Sequence, residues 1–214
     1  MKLVIFDMDG VIVDSEHIYS AIDEEIYKKF NICLSQEKKD SFIGKNSLDI
    51  WTEIYNDYSL HNNISLEDLI KLQRKMYINS LNDLLMVEGV RDWMKYFKKN
   101  NIKMIIASSS PKEIITFVIK KFKLDEYIEG FVHGDEVTIG KPNPEIFIKA
   151  ASIFNEKPKD CLVIEDSSNG VKAAKAADMK CIGYKNANSG KQDLSKADYI
   201  CSVFNLESLS EILN

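Results

Sequence analysis

Two aspartates with one residue between them, Asp7 and Asp9, leave the end of the first apolar run, Leu3 to Phe6, and are followed at once by Gly10. Carboxylates this close repel unless a cation lies between them or one holds a proton, and a hard divalent ion such as Mg²⁺ suits such oxygen donors. The same residue types also build ordinary turns, so the motif alone leaves a metal site and a turn both open. Ser108-Ser109-Ser110-Pro111 offers hydroxyls and backbone N–H groups at a helix start, where an anion is cradled or a serine simply caps the helix. Lys141, set between Gly140 and Pro142, is a cation fixed in a loop, able to neutralise a phosphoryl group or to sit as a solvated turn charge. It is not part of a Walker A loop, since Pro142 stands where Ser or Thr would bind the metal. Glu165 and Asp166 form a second acid pair; they could complete a metal's oxygen shell, while Asp166 or Ser167 could instead cap a helix.

The positioning elements follow from hydropathy patterning. Short apolar, β-branched runs predict strands over Leu3 to Phe6, Met104 to Ala107, Phe131 to His133, Cys161 to Ile164, Cys181 to Tyr184 and Tyr199 to Cys201. Most are apolar on both faces, as in a parallel sheet covered on each side. Helix-period segments over Val90 to Lys99, Pro111 to Phe122, Pro144 to Phe154 and Val171 to Ala177 alternate with them, which predicts an α/β doubly wound sheet. From Ser15 to Asp83 no strand pattern occurs, only amphipathic stretches such as Ile18 to Phe30 and Leu66 to Leu81. We therefore expect a core of residues 1–14 and 84–214, interrupted by a small all-helical cap over residues 15–83. Lys98 to Asn101 and Asn186 to Gly190 read as solvated loops. Each chemical segment lies at a predicted strand end, and a sheet would bring them all to one rim.

Composition narrows the classes of function. At 214 residues with 45% hydrophobic and 29% charged residues, the chain falls in the folded globular range. A net charge of −5 supplies no general field for nucleic acid or an anionic membrane, so neither is expected as a partner. The 4 cysteines lack a C-x-x-C pair and the 3 histidines are scattered, which argues against zinc. The opening apolar run is too short for a signal-peptide core and no run reaches spanning length, so a reducing cytoplasm is the expected location.

With Asp7-Met8-Asp9-Gly10-Val11, Ser108, Lys141 and Glu165-Asp166 in this order, nearly the whole chain resembles the haloacid dehalogenase superfamily, in its β-phosphoglucomutase and phosphoglycolate phosphatase branch. The resemblance implies a Rossmann-like core with a helical cap, and activity on a small-molecule phosphomonoester by a protein that is often a monomer. It implies that Asp7 is the nucleophile forming an aspartyl-phosphate and Asp9 the general acid and base. Mg²⁺ would be held by Asp7, Asp9 and Asp166 with Glu165 close by, while Ser108, Lys141 and the Ser109 N–H would hold the phosphoryl oxygens. Gly44-Lys45-Asn46 resembles the cap's specificity loop, after a hinge at Ser15. Two departures stand out: no arginine lies near Gly44 for a second phosphate, with only Lys45 or Lys75 as substitutes, and Tyr19 replaces a histidine expected beyond the hinge. They favour a phosphatase, such as one for sugar phosphates or phosphoglycolate, over β-phosphoglucomutase. A phosphate-accepting signalling receiver is a third reading, opposed by the cap and by Asp9.

Overall fold

In the computed structural model, which describes residues 1–42, Lys45 and residues 47–213, the first strand is the axis of the molecule. Strand β1 (Leu3–Phe6) carries no polar side chain and is buried along its whole length. The chain then makes a short strand β2 (Val13–Asp14) before entering helices α1 (Glu16–Phe30), α2 (Gln36–Asp40), α3 (Ser47–Asp57) and α4 (Leu66–Ser80). It returns through β3 (Leu85–Met86), which pairs antiparallel with β2, so the outgoing and returning links lie side by side. Thereafter strand and helix alternate: α5 (Val90–Lys99), β4 (Lys103–Ala107), α6 (Lys112–Lys121), β5 (Phe131–Val132), α7 (Glu145–Ile153), β6 (Cys161–Glu165), α8 (Ser168–Ala176), β7 (Lys180–Tyr184), β8 (Tyr199–Cys201) and α9 (Leu206–Leu213).

The six-stranded sheet has the order β5-β4-β1-β6-β7-β8, and every pairing in it is parallel. Alternate side chains feed two separate cores, as the period of a strand requires. Val4 and Phe6 join Ile106, Trp93, Phe97 and Ile115 on one face. Leu3 and Ile5 join Val163, Phe147, Ala150 and Val171 on the other. That double burial is why the strands read as nearly continuous apolar runs.

The helices between β2 and β3 obey a different rule. In α1, Ile18, Ile22 and Ile26 recur every fourth residue and are buried, which is one stripe of a helix turned towards a core. Leu69, Gln73 and Tyr77 form the corresponding buried stripe of α4. Among the described residues this stretch contains no strand, and none of the helices is long and apolar enough to cross a membrane.

Sequence and structure part in a few places. Helices α2 and α9 and the pair β2 and β3 escape the pattern reading because each is brief, and α3 escapes it although its 11 residues bury Trp51 and Ile54. Pro111 and Pro144, expected inside helices, sit one residue before them. Lys98 and Lys99, covered both by the expected helix Val90 to Lys99 and by the expected loop Lys98 to Asn101, belong to the last turn of α5.

Candidate active site

Parallel pairing fixes where the strand ends meet. Phe6 is in register with Ile106 on one side and Ile164 on the other, so Asp7, the segment beginning at Ser108, and Glu165 leave the sheet at adjacent points on one edge. This is the edge where ligands bind in open α/β sheets, beside the strand at which the order reverses. The Asp7 N–H is itself held by the Ile164 carbonyl at 2.9 Å.

Beyond Asp7 the backbone turns sharply, with the N–H groups of Ile12 and Val13 donating to the Met8 carbonyl at 2.8 and 3.0 Å. Gly10 takes the left-handed conformation, φ +79°, and a Cβ there would lie 2.0 Å from Asp166 Oδ2. Glycine is thus required twice, for the turn and for the approach of Asp166. The turn reading therefore holds, and a turn at this place does not exclude a chemical role for the same aspartates.

Asp7 is 5% exposed, and its Oδ1 accepts from Lys141 Nζ at 2.5 Å. The same ammonium donates to Glu165 Oε1 at 2.7 Å. Burial would favour a neutral amine, but the charges of Asp7 and Glu165 outweigh it and hold Lys141 above its ordinary value. Burial likewise pushes Asp7 up, to about 8, against the lowering pull of Lys141, with Glu165 and Asp9 adding to the rise. Burial thus outweighs the ammonium in contact at Asp7.

Glu165 has both oxygens engaged, because Oε2 accepts from the N–H and hydroxyl of Ser167 at 2.7 and 2.9 Å. Gly170 makes room for it, since a Cβ there would fall 1.8 Å from Glu165 Oε1. The capping role left open between Asp166 and Ser167 belongs to Ser167, whose Oγ accepts from the Gly170 N–H at 3.0 Å. Asp166, 3% exposed, instead accepts from the Ser189 hydroxyl.

Asp9 is held by hydroxyls. Ser15 Oγ donates to its Oδ1 at 2.6 Å, while Ser110 Oγ and Ser108 Oγ donate to its Oδ2 at 2.7 and 3.2 Å. Ser108, expected to face a phosphate, thus touches Asp9 and also accepts from the Ser110 N–H at 3.0 Å. Ser109 opens onto the cavity, its backbone pressed against Gly134, where a Cβ would meet the Ser109 carbonyl at 2.2 Å.

A cavity of about 220 Å³ lies over this floor. Asp7, Asp9, Asp166, Ser109 and Ser110 open into it from the sheet edge, and side chains of α1, α2 and α4 form the facing wall. Tyr19 reaches across, with its hydroxyl 3.3 Å from Ser110 Oγ and its ring stacked at 4.0 Å on Tyr77. Of the expected specificity loop, Gly44 and Asn46 lie outside the described residues. Lys45 lines the cavity and pairs with Glu53 at 3.4 Å. Lys75 is exposed and does not line it, whereas Gln73, two residues earlier, does.

Ser110, read as one of the hydroxyls at a helix start, and Ser15, read as a hinge, turn out to hold Asp9, and Ser189 carries no sequence expectation of its own. Ser110, Ser15 and Ser189 are buried, yet a serine carries no hydropathy signal for such a role. In the Asn186 to Gly190 segment, Ala187, Asn188 and Gly190 are exposed as expected, but two residues turn inward: Asn186 Nδ2 donates to the Gly10 carbonyl at 2.8 Å and Ser189 is fully buried. Partners so far apart in the chain leave no local pattern to read.

Comparison with known proteins agrees with this architecture. The profile of the haloacid dehalogenase-like hydrolases matches residues 1–178. The chain belongs to the haloacid dehalogenase-like hydrolases. Within that family it is 31% identical over 186 residues to the phosphorylated carbohydrates phosphatase of Thermotoga maritima, covering 85% of this chain and 84% of the relative. It is 28% identical over 192 residues to the β-phosphoglucomutase of Bacillus subtilis, covering 86% and 83%. The crystal structure of β-phosphoglucomutase from Clostridium difficile shares the fold, with a TM-score of 0.85 at 23% identity, over 99% of this chain and 96% of that one. As a member of this hydrolase family, the chain is an enzyme.

Proposed function

We propose that this hydrolase is a phosphomonoesterase that cleaves a small phosphorylated metabolite through an aspartyl-phosphate on Asp7. The observation carrying the reading is the buried contact of Asp7 with Lys141 at 2.5 Å, on the floor of a cavity faced by the helical insert. An Asp7 oxygen attacks phosphorus as the bond to the leaving oxygen breaks, and Asp9 delivers the proton that the leaving alcohol needs. Water then attacks the aspartyl-phosphate, Asp9 takes its proton, and phosphate leaves. The three serine hydroxyls around Asp9 fix its orientation for both transfers. Lys141 places positive charge at the attacked group and is itself held by Glu165.

The donors suit Mg²⁺. Asp7, Asp9 and Asp166 line one cavity and present hard oxygens. As the side chains lie, no three acid, histidine or cysteine groups among the described residues are close enough to enclose an ion. We assign the ion to Asp7, Asp9 and Asp166; Glu165, with both oxygens taken, acts through Lys141 and Ser167. Bound there, Mg²⁺ would offset the negative charge of nucleophile and phosphoryl group.

The insert, residues 15–83, serves in this reading as the lid that excludes bulk water and meets the organic half of the substrate. The names of the relatives, phosphatases and a β-phosphoglucomutase, leave hydrolysis and transfer to be separated. With Mg²⁺ and β-glucose 1-phosphate plus a bisphosphate primer, free phosphate is the expected product; rapid glucose 6-phosphate formation without it overturns hydrolysis. EDTA should abolish phosphate release from p-nitrophenyl phosphate and added Mg²⁺ should restore it.

A further inference from the structure

The wall opposite Asp7 contains a polar pair that none of the roles above uses. On α1, Tyr19, Asp23 and Tyr27 succeed one another at helical spacing, and all three line the cavity. On α4, Gln73 stands between Leu69 and Tyr77 in the buried stripe, where an apolar residue would ordinarily pack, and is 3% exposed. Its amide donates to Asp23 Oδ1 at 2.6 Å, which fixes the two side chains against each other at the cavity surface.

The charges beside this pair are already balanced or negative. Among the described residues, the cations that line the cavity are Lys39 and Lys45. Lys39 is paired with Glu24, and Lys45 shares Glu53 with Lys38, which does not line the cavity. Glu24 already offsets Lys39, so the carboxyl groups this wall adds are those of Asp23 and Asp40. A second phosphate or a carboxylate on the substrate would meet like charge and committed ammonium groups. Hydroxyls, by contrast, can donate to Asp23 and exchange hydrogen bonds with Gln73, whose amide both donates and accepts. The aromatic rings of Tyr19 and Tyr27 offer apolar surface to the C–H groups of the same molecule.

We propose that Asp23 and Gln73 read the organic half of the substrate, selecting phosphomonoesters of uncharged polyols and rejecting those that carry a second anionic group. The proposal rests on the phosphomonoesterase reading and narrows it, because it separates sugar and polyol phosphates from phosphoglycolate and from sugar bisphosphates. The selection has an attractive part, the dyad, and a repulsive part, the acidic wall.

The test compares kcat/KM of the wild-type enzyme with Mg²⁺ on glycerol, pentose and hexose monophosphates, on phosphoglycolate and on a sugar bisphosphate. At least one polyol monophosphate should exceed both classes that carry a second anionic group by about tenfold or more, since a site built to bond hydroxyls discriminates strongly against ligands lacking them. Gln73→Lys, which adds a cation beside Asp23, should shift the ratio towards phosphoglycolate, and Asp23→Asn should lower the polyol preference mainly through KM. Circular dichroism confirms that each variant is folded, and the ratio within one variant is insensitive to its active fraction. Equal efficiency on phosphoglycolate and every polyol phosphate, or ratios unmoved in both variants, overturns the proposal. Phosphate release from p-nitrophenyl phosphate by the wild type reports separately on the parent reading. Should that reading fail, calorimetric titration of Asp7→Asn with the same ligands still measures the preference without turnover: tighter polyol phosphate binding upholds the dyad's role, and equal or tighter phosphoglycolate binding refutes it.

Discussion

The floor and the wall of the cavity are built on opposite principles. On the floor, Asp7, Lys141, Glu165 and Asp166 are each 5% exposed or less; Lys141 ties Asp7 to Glu165, and Asp166 is held separately by the Ser189 hydroxyl. On the wall, Asp23, Glu24, Lys39 and Lys45 are only half-buried, and the cations make ion pairs within the helical insert. A buried charge tolerates little displacement, because losing one partner leaves the other without solvent or counter-charge. Half-exposed pairs cost far less to rearrange. The floor is accordingly suited to a fixed chemical step, and the wall to contacts that differ from one substrate to another.

Breaking the floor should have the largest effects. If Asp7 is the nucleophile as proposed, Asp7→Asn removes the attacking oxygen but keeps the shape, so turnover should fall by about 10⁴-fold or more while the fold persists, as when other covalent nucleophiles are deleted. Hydrolysis of p-nitrophenyl phosphate at the wild-type rate would exclude Asp7 from the role. Lys141→Met should be costly in a second way: it leaves Asp7 and Glu165 facing each other without their shared ammonium. Removing one member of such a buried set costs about 3–5 kcal/mol, measurable as a lowered urea midpoint with an unchanged slope. A loss below about 1 kcal/mol would show that the pairing contributes little to the folded state.

The same contrast explains what the sequence reveals. Loops on the floor follow strands whose apolar runs are distinct, so Asp7, Ser108 and Glu165 can be placed at one edge from patterning alone. Lys141 lies in a loop between β5 and α7, and a parallel β-α alternation brings that loop to the same edge. The serines around Asp9 lack any such marker, since their importance lies in distances between Ser15, Ser108 and Ser110 that only folding creates. The wall was hardest to read. Its helix α2 has only 5 residues, and Asp23 looks like one more charge on a helix rich in them. One local signal was present: in the stripe Leu69, Gln73, Tyr77, a glutamine occupies a position where burial demands a partner.

The smallest predicted effect sharpens the comparison on the wall itself. Burial raises the Asp23 carboxyl to about 7, with the Gln73 amide pulling it down and the Glu24 charge pushing it up. Its ordinary value is 3.8. Between these values the folded chain keeps a proton that the unfolded chain releases, so stability must fall as pH rises through the interval, and the penalty is fully present above about 7. Asparagine cannot ionise, yet its side-chain oxygen can still accept from Gln73. Asp23→Asn should therefore gain stability relative to wild type on going from pH 5 to pH 8, by about 1–2 kcal/mol once partial solvent screening is allowed for. Urea unfolding of both proteins at the two pH values gives the difference directly. A gap that stays constant or narrows towards pH 8 would mean that the wall accommodates the Asp23 charge as readily as water does.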